Sequence, residues 1–211
     1  MKLRGLYAIT PDAADRAQLR DRVRAAIAGG IALLQYRAKR LPPSQRLEEA
    51  DGYAALCRDR GIPFIVNDDV GVALACGADG VHLGRDDGDV RAARAQLRGK
   101  LLGVSCYNSL DAARAAVAAG ADYVAFGSVF ASPTKPGAVR APLALFASAR
   151  ALGVPLVAIG GITLANAPRL VAAGADALAV ITDLFEAPDV AARARDYGKL
   201  FAHESTHDVE E

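Results

Sequence analysis

The chain has 211 residues, enough for one domain with a sizeable core, and 52% of them are hydrophobic against only 6% aromatic. Its 25 basic and 24 acidic residues leave a net charge of +1, a balance that argues against nucleic acid as a partner. The cysteines Cys57, Cys76 and Cys106 have no metal-ligand spacing and imply no disulfide framework. The amino end lacks the apolar stretch of a signal peptide, and no apolar run is long enough to span a bilayer, so the expectation is a cytoplasmic protein without a membrane partner.

In chain order, Gly5 to Thr10 reads as a first strand. Leu19, Val23 and Ile27 then recur at helical spacing until Gly29-Gly30 stops the helix. Ile31 to Arg37 is a second strand, and Pro42-Pro43-Ser44 opens a helix carrying Leu47, Ala50, Ala54 and Cys57 on one side. The apolar run Ile62 to Val66 ends on Asn67-Asp68-Asp69. A short helix follows around Val72 to Cys76, then a strand at Gly80 to Leu83 and a helix from Asp89 to Leu97. Leu101 to Ser105 is strand five, after which Asn108-Ser109 caps a helix with Leu110, Ala113 and Val117. Tyr123 to Gly127, Leu156 to Ile159 and Ala177 to Ile181 complete eight strands, and a last helix runs from Asp189 to Phe201. The polar tail from residue 203 to 211 is expected to fray, leaving residues 1–202 as the catalytic domain.

Eight strand–helix units at about 26 residues each describe a lean (β/α)8 TIM barrel, an α/β fold of one domain. Strands that are continuous apolar runs, such as Leu156-Val157-Ala158-Ile159, suit a parallel sheet covered by helices. A doubly wound open sheet is the competing architecture, weakened because no Gly-x-Gly-x-x-Gly follows the first strand. Gly77-Ala78-Asp79, Gly120-Ala121-Asp122 and Gly174-Ala175-Asp176 each precede an even-numbered strand, and Gly30-Ile31-Ala32 is a worn version. That placement assigns Asp79, Asp122 and Asp176 to the stability face of the barrel, opposite the mouth where active sites lie.

The strand ends at that other mouth carry a polar inventory. Alternation along strand two sends Gln35, Arg37 and Lys39 to one side. Strand three ends in Asn67, Asp68 and Asp69, strand four in Gly84-Arg85-Asp86-Asp87, and strand five in Ser105. After strand six comes the loop Ala131-Ser132-Pro133-Thr134-Lys135-Pro136-Gly137, after strand seven Gly160-Gly161, and after strand eight Ile181-Thr182. The last two loops are where such barrels often bind a phosphate on backbone N–H groups. Arg37, Lys39 and Lys135, with Asp68 and Asp87 as Mg²⁺ ligands, carry more charge than a monophosphate needs and favour a diphosphate. Blander readings stand beside these: Arg37 and Lys39 as a solvated strand end, Asp69 as a helix cap, and Asp87 as either a cap or a ligand. His82, inside a strand, reads as a satisfied core histidine rather than a base.

The motifs Gln35-Tyr36-Arg37-Ala38-Lys39, Val66-Asn67-Asp68-Asp69-Val70, Gly77 to Gly84, Gly103-Val104-Ser105, Ser132 to Gly137, Ile159-Gly160-Gly161-Ile162 and Val180-Ile181-Thr182 resemble, in the same order, those of the thiamine-phosphate synthase family. The resemblance implies a transferase of a substituted methyl group. It would join 4-amino-2-methyl-5-(diphosphooxymethyl)pyrimidine to a thiazole phosphate, giving thiamine phosphate and diphosphate. It also implies that Gln35, Tyr36, Arg37, Ala38, Lys39, Asn67, Ser105 and Lys135 hold the pyrimidine diphosphate, with Arg37, Lys39, Lys135 and Ser105 catalytic. Ser132, Pro133, Thr134, Gly161, Ile181 and Thr182 would hold the thiazole phosphate. Asp68 and Asp87 would bind one Mg²⁺ per subunit. Arg85 stands where the family has Gln, and Ser132 where it has Thr. The loop around Lys135 would be a lid against water. A thiazole tautomerase of the same fold and a non-catalytic phosphometabolite-binding barrel are the alternative functions. The partners are small phosphorylated substrates, and a homo-oligomer is compatible with the sequence.

Overall fold

In a computed structural model, which describes residues 3–13, 15–85, 87–131 and 139–202, strand and helix alternate along the whole chain. The order is β1 (Gly5–Ile9), α1 (Arg16–Ala28), β2 (Leu33–Tyr36), α2 (Pro43–Arg58), β3 (Phe64–Asn67), α3 (Val70–Ala75), β4 (Gly80–Leu83) and α4 (Val90–Leu97). It continues β5 (Leu101–Tyr107), α5 (Leu110–Ala118), β6 (Tyr123–Phe126), α6 (Ala144–Ala149), β7 (Leu156–Ile159), α7 (Ala167–Ala172), β8 (Ala177–Val180), α8 (Thr182–Phe185) and α9 (Val190–Lys199). Each strand pairs in parallel with its neighbour in sequence, and β1 also pairs with β8 through Gly5–Ala177 to Ala8–Val180. The sheet is therefore a closed (β/α)8 barrel, and closure excludes the doubly wound alternative. No helix among the described residues is long and apolar enough to cross a membrane.

Alternation along each strand splits the core in two. Leu6, Leu34, Val66, Val81, Leu102, Val124 and Leu178 pack outward under the helices, while Tyr7, Ile9, Leu33, Ile65, Tyr123, Ala125, Val157, Ala177 and Ala179 fill the interior. Each large apolar side chain buried this way contributes roughly 1.5–3 kcal/mol. Two interior tyrosines in so lean a barrel need space, and Gly103 provides it. A Cβ there would lie 2.0 Å from Cζ of Tyr123, so only glycine lets that ring cross the axis. The three cysteines are free and buried in the outer core.

Local signals explain the element ends. Asp15, Asp69, Asp89, Ser109 and Asp189 are N-caps whose side chains accept the N–H of Gln18, Val72, Ala92, Ala112 and Ala192 at 2.8–3.1 Å. Each such cap stabilises its helix by about 1 kcal/mol. Capping by Asp69 starts α3 at Val70, two residues before the expected start at Val72. At the opposite ends, the three Gly-Ala-Asp turns repeat one device. The carboxylates of Asp79, Asp122 and Asp176 accept the N–H of Phe64, Leu102 and Leu156 at 2.7–2.8 Å. The backbone N–H of each same aspartate returns a bond to the carbonyl of that residue, at 2.7–2.8 Å. In the fourth turn, Ala32 keeps only the backbone bond, to Leu6.

Candidate active site

The second strand brings its alternate residues to the carboxyl mouth, as its period requires. Gln35 lies inside the barrel, 2% exposed, with its side-chain nitrogen unpartnered among the described residues. Arg37 and Lys39 follow beyond the strand end, and both are fixed by residues after β1 that the sequence reading did not single out. The Thr10 hydroxyl accepts the Arg37 N–H at 2.8 Å and donates to the Arg37 carbonyl at 3.1 Å. The Asp12 carboxylate accepts from Arg37 Nη1 at 2.6 Å and from the Lys39 N–H at 2.8 Å. The signal for both was present in Thr10-Pro11-Asp12, a polar tripeptide ending a buried strand. Tyr36 and Ala38 face the other way, into the outer core; the Tyr36 ring packs on Tyr53 and its hydroxyl donates to Glu49 at 2.8 Å. Anything those two residues offer a ligand comes from their backbone.

Asn67 ends β3, and the chain turns sharply at Asp68, whose φ is 67°. Its N–H donates to the His82 carbonyl at 2.8 Å, which pins the turn to β4. Asp68 Oδ2 lies 3.3 Å from Lys39 Nζ, and its carboxyl neighbours that of Asp87 closely enough for the two to influence each other's charge. Burial, and then the neighbouring Asp87, push the Asp68 carboxyl up to about 6, while Lys39 pulls against them. Asp87 itself is seated by the N–H of Gly84, which donates to Oδ2 at 2.8 Å. Asp89, not Asp87, caps α4. The Arg85 guanidinium lies 4.5 Å from the centre of the Tyr107 ring, a cation–π contact.

Two carboxyls that close together repel when both are ionised, and a divalent cation between them relieves the repulsion. Among the described residues no group of three or more His, Cys, Asp or Glu side chains gathers to hold a metal ion, here or elsewhere. Two hard oxygen donors with further positions left to substrate and water fit Mg²⁺, which binds through one or two carboxylates plus phosphate oxygens.

Ser105, where strand five was expected to end, lies two residues inside β5, which runs on to Tyr107; it points inward, and His82 stands beside it with Nε2 at 2.8 Å from Oγ. Burial pushes the His82 imidazole down to about 4, so it is neutral at physiological pH. On the far side of the mouth, Gly160-Gly161 follows β7 and Ile181-Thr182 joins β8 to α8. Gly161 has φ 65°, and a Cβ there would meet the Ala131 carbonyl oxygen at 2.3 Å, so the loop packs directly beneath the one entering residue 132. Asp183 ties α8 down, accepting from Tyr197 Oη at 2.8 Å and from Arg193 Nη1 at 2.6 Å. The expected ligands Ser132, Pro133, Thr134 and Lys135, the lid they belong to, Asp86 and the tail from residue 203 to 211 lie outside the described residues.

A closed parallel barrel that collects cations, paired carboxylates and a serine at its carboxyl mouth is a (β/α)8-barrel enzyme. A family model described as thiamine monophosphate synthase matches residues 6–184, and the chain belongs to that family. It is thereby a transferase of alkyl groups other than methyl. A thiamine-phosphate synthase of Aromatoleum aromaticum is 59% identical over 202 residues, covering 95% of this chain and 97% of that one. Another, of Azoarcus sp., is 57% identical over 203 residues, covering 95% and 98%. Among solved structures, thiamine phosphate pyrophosphorylase from Pyrococcus furiosus superposes with a TM-score of 0.83 at 35% identity, covering 95% of this chain and 96% of that one.

Proposed function

We propose that this chain joins 4-amino-2-methyl-5-(diphosphooxymethyl)pyrimidine to a thiazole phosphate, releasing diphosphate and forming thiamine phosphate. The observation that carries the reading is the pair of abutting carboxyls, Asp68 and Asp87, with Lys39 on one of them and Arg37, Asn67 and Ser105 on neighbouring strand ends. Arg37 and Lys39, with Lys135 from the loop after β6, hold the diphosphate oxygens and stabilise the charge that develops as they depart. Gln35 and Asn67, with the backbone of Tyr36 and Ala38, orient the pyrimidine. Gly161, Ile181 and Thr182, with Ser132, Pro133 and Thr134, hold the thiazole phosphate. Mg²⁺ held by Asp68 and Asp87 would neutralise charge on the leaving diphosphate.

The bond between the pyrimidine methylene and the diphosphate oxygen breaks, and its electron pair leaves with the oxygen. The methylene cation, stabilised by the aminopyrimidine, is captured by the thiazole nitrogen. No protein nucleophile is needed; the groups brought to the mouth among the described residues are amides, cations, carboxylates and a hydroxyl. A tautomerase acting on a thiazole phosphate alone would have no use for the carboxyl pair beside Lys39.

The test mixes purified protein with both substrates and Mg²⁺ and follows diphosphate. Release that depends on the thiazole supports the condensation. Release without it identifies a hydrolase, and no release identifies a binding protein or a tautomerase. Asp68→Asn, which keeps shape and tolerates the left-handed backbone, should lower kcat/KM by about a hundredfold, or about 3 kcal/mol. Unchanged kcat/KM sinks the metal assignment.

A further inference from the structure

We infer that His82 is a positioning residue for the reaction, one that turns the Ser105 hydroxyl into a hydrogen-bond donor facing the mouth. The inference rests on the reading that Ser105 contacts the diphosphate substrate.

Beneath Ser105 a column of polar atoms descends into an otherwise apolar barrel. Ser105 Oγ lies 2.8 Å from His82 Nε2. His82 Nδ1 lies 3.0 Å from Tyr123 Oη, and that oxygen lies 3.0 Å from Tyr7 Oη. The two tyrosines are 0–1% exposed and His82 is 7% exposed, so water does not compete for these bonds. The ring of His82 also stacks on Tyr123, with centroids 5.6 Å apart, and the Tyr123 ring is locked in place over Gly103. The imidazole therefore has a fixed orientation.

A neutral imidazole carries one N–H, and its position decides what Ser105 can do. With the hydrogen on Nδ1, Nε2 is an acceptor, so Ser105 spends its only hydrogen on the barrel interior and presents lone pairs to the mouth. With the hydrogen on Nε2, the imidazole donates to Ser105 Oγ, and the serine hydrogen is free for a ligand. A departing diphosphate offers only oxygen lone pairs and needs the donor. The tyrosine hydroxyls permit it: Tyr7 donates to Tyr123, Tyr123 donates to Nδ1, and the hydrogen is left on Nε2. A core histidine needed only for packing has no reason to meet a site serine at one nitrogen and a buried hydroxyl pair at the other.

The experiment is a double-mutant cycle read as kcat and KM separately. His82→Leu should lower kcat by about 10- to 100-fold with KM within about threefold, and His82→Gln, which restores a donor near Nε2, should recover most of the loss. In a Ser105→Ala background, His82→Leu should cost less than about threefold, because the group it positions is gone. Tyr123→Phe removes one oxygen from the column without emptying the core, and covers the case in which His82→Leu does not fold. It should lower kcat by about three- to tenfold in the wild-type background only. Losses that multiply in the double variants, or no loss from Tyr123→Phe, overturn the positioning role alone. Unchanged kcat in Ser105→Ala overturns the underlying site reading as well.

Discussion

Asp68 follows Asn67, the residue that pairs with His82 across the β3–β4 seam, and the Asp68 carboxyl and His82 imidazole are displaced in opposite senses from ordinary values. For His82 the folded value of about 4 lies below the usual 6.5, so between those pH values the unfolded chain binds a proton that the folded one does not. Stability from this group is complete above pH 6.5 and drains away as pH falls toward 4. Asp68, raised to about 6, works the other way and gains as pH falls, so the wild-type curve alone hides both. The difference between wild type and His82→Gln isolates the histidine, since Asp68 is common to the two proteins. In metal-free buffer, wild type should lose about 2 kcal/mol relative to His82→Gln between pH 7 and pH 5, measured by urea unfolding. Parallel curves would show that the imidazole is not held neutral by burial. At this scale the sequence showed Asp68 clearly, as a carboxylate ending an apolar strand. It did not show Thr10 or Asp12, because their work on Arg37 and Lys39 depends on β1 lying beside β2, 25–27 residues away. His82 read as a core residue, and it is one; only the fold brings Ser105 to it.

The helix-to-strand turns show where a local pattern was fully legible. Gly-Ala-Asp recurs at intervals of 43 and 54 residues, and each copy closes the same two-bond clasp onto the start of the preceding strand. Asp176 is the best copy to test, because its carboxylate also meets Arg150 at 2.9 Å and is well covered. Asp176→Ala strands the Leu156 N–H and should cost about 1–3 kcal/mol in urea unfolding, with kcat unchanged. A matching fall in kcat would mean that the two mouths of the barrel are coupled. Strand boundaries were less legible. Ile31 and Ile62 read as strand residues because they are apolar, yet β2 and β3 begin two residues later, at Leu33 and Phe64, where ladder bonding starts. The four-residue α8 was missed altogether: Thr182 to Phe185 is too short for any periodic signal, and its place is set by Asp183 bonding to α9.

Across the whole molecule, the division of labour follows strand direction. The Gly-Ala-Asp clasps hold the amino mouth, while the cations and carboxyls that handle phosphate converge at the carboxyl mouth, where the helix N-caps also lie. Barrel closure was legible from eight apolar runs at regular spacing, but the interior was not: nothing in the sequence announced that two tyrosines and a histidine would meet on the axis. Because β1 pairs with β8 as well as β2, the first strand of the barrel to be synthesised waits for the last. Until Ala177–Val180 emerges, a nascent chain keeps β1 as a bare sheet edge, a template for sticking to other chains. A fragment ending at Gly174 should therefore aggregate or require a chaperone where the full chain does not, and adding a peptide that spans residues 175–202 during refolding should restore solubility.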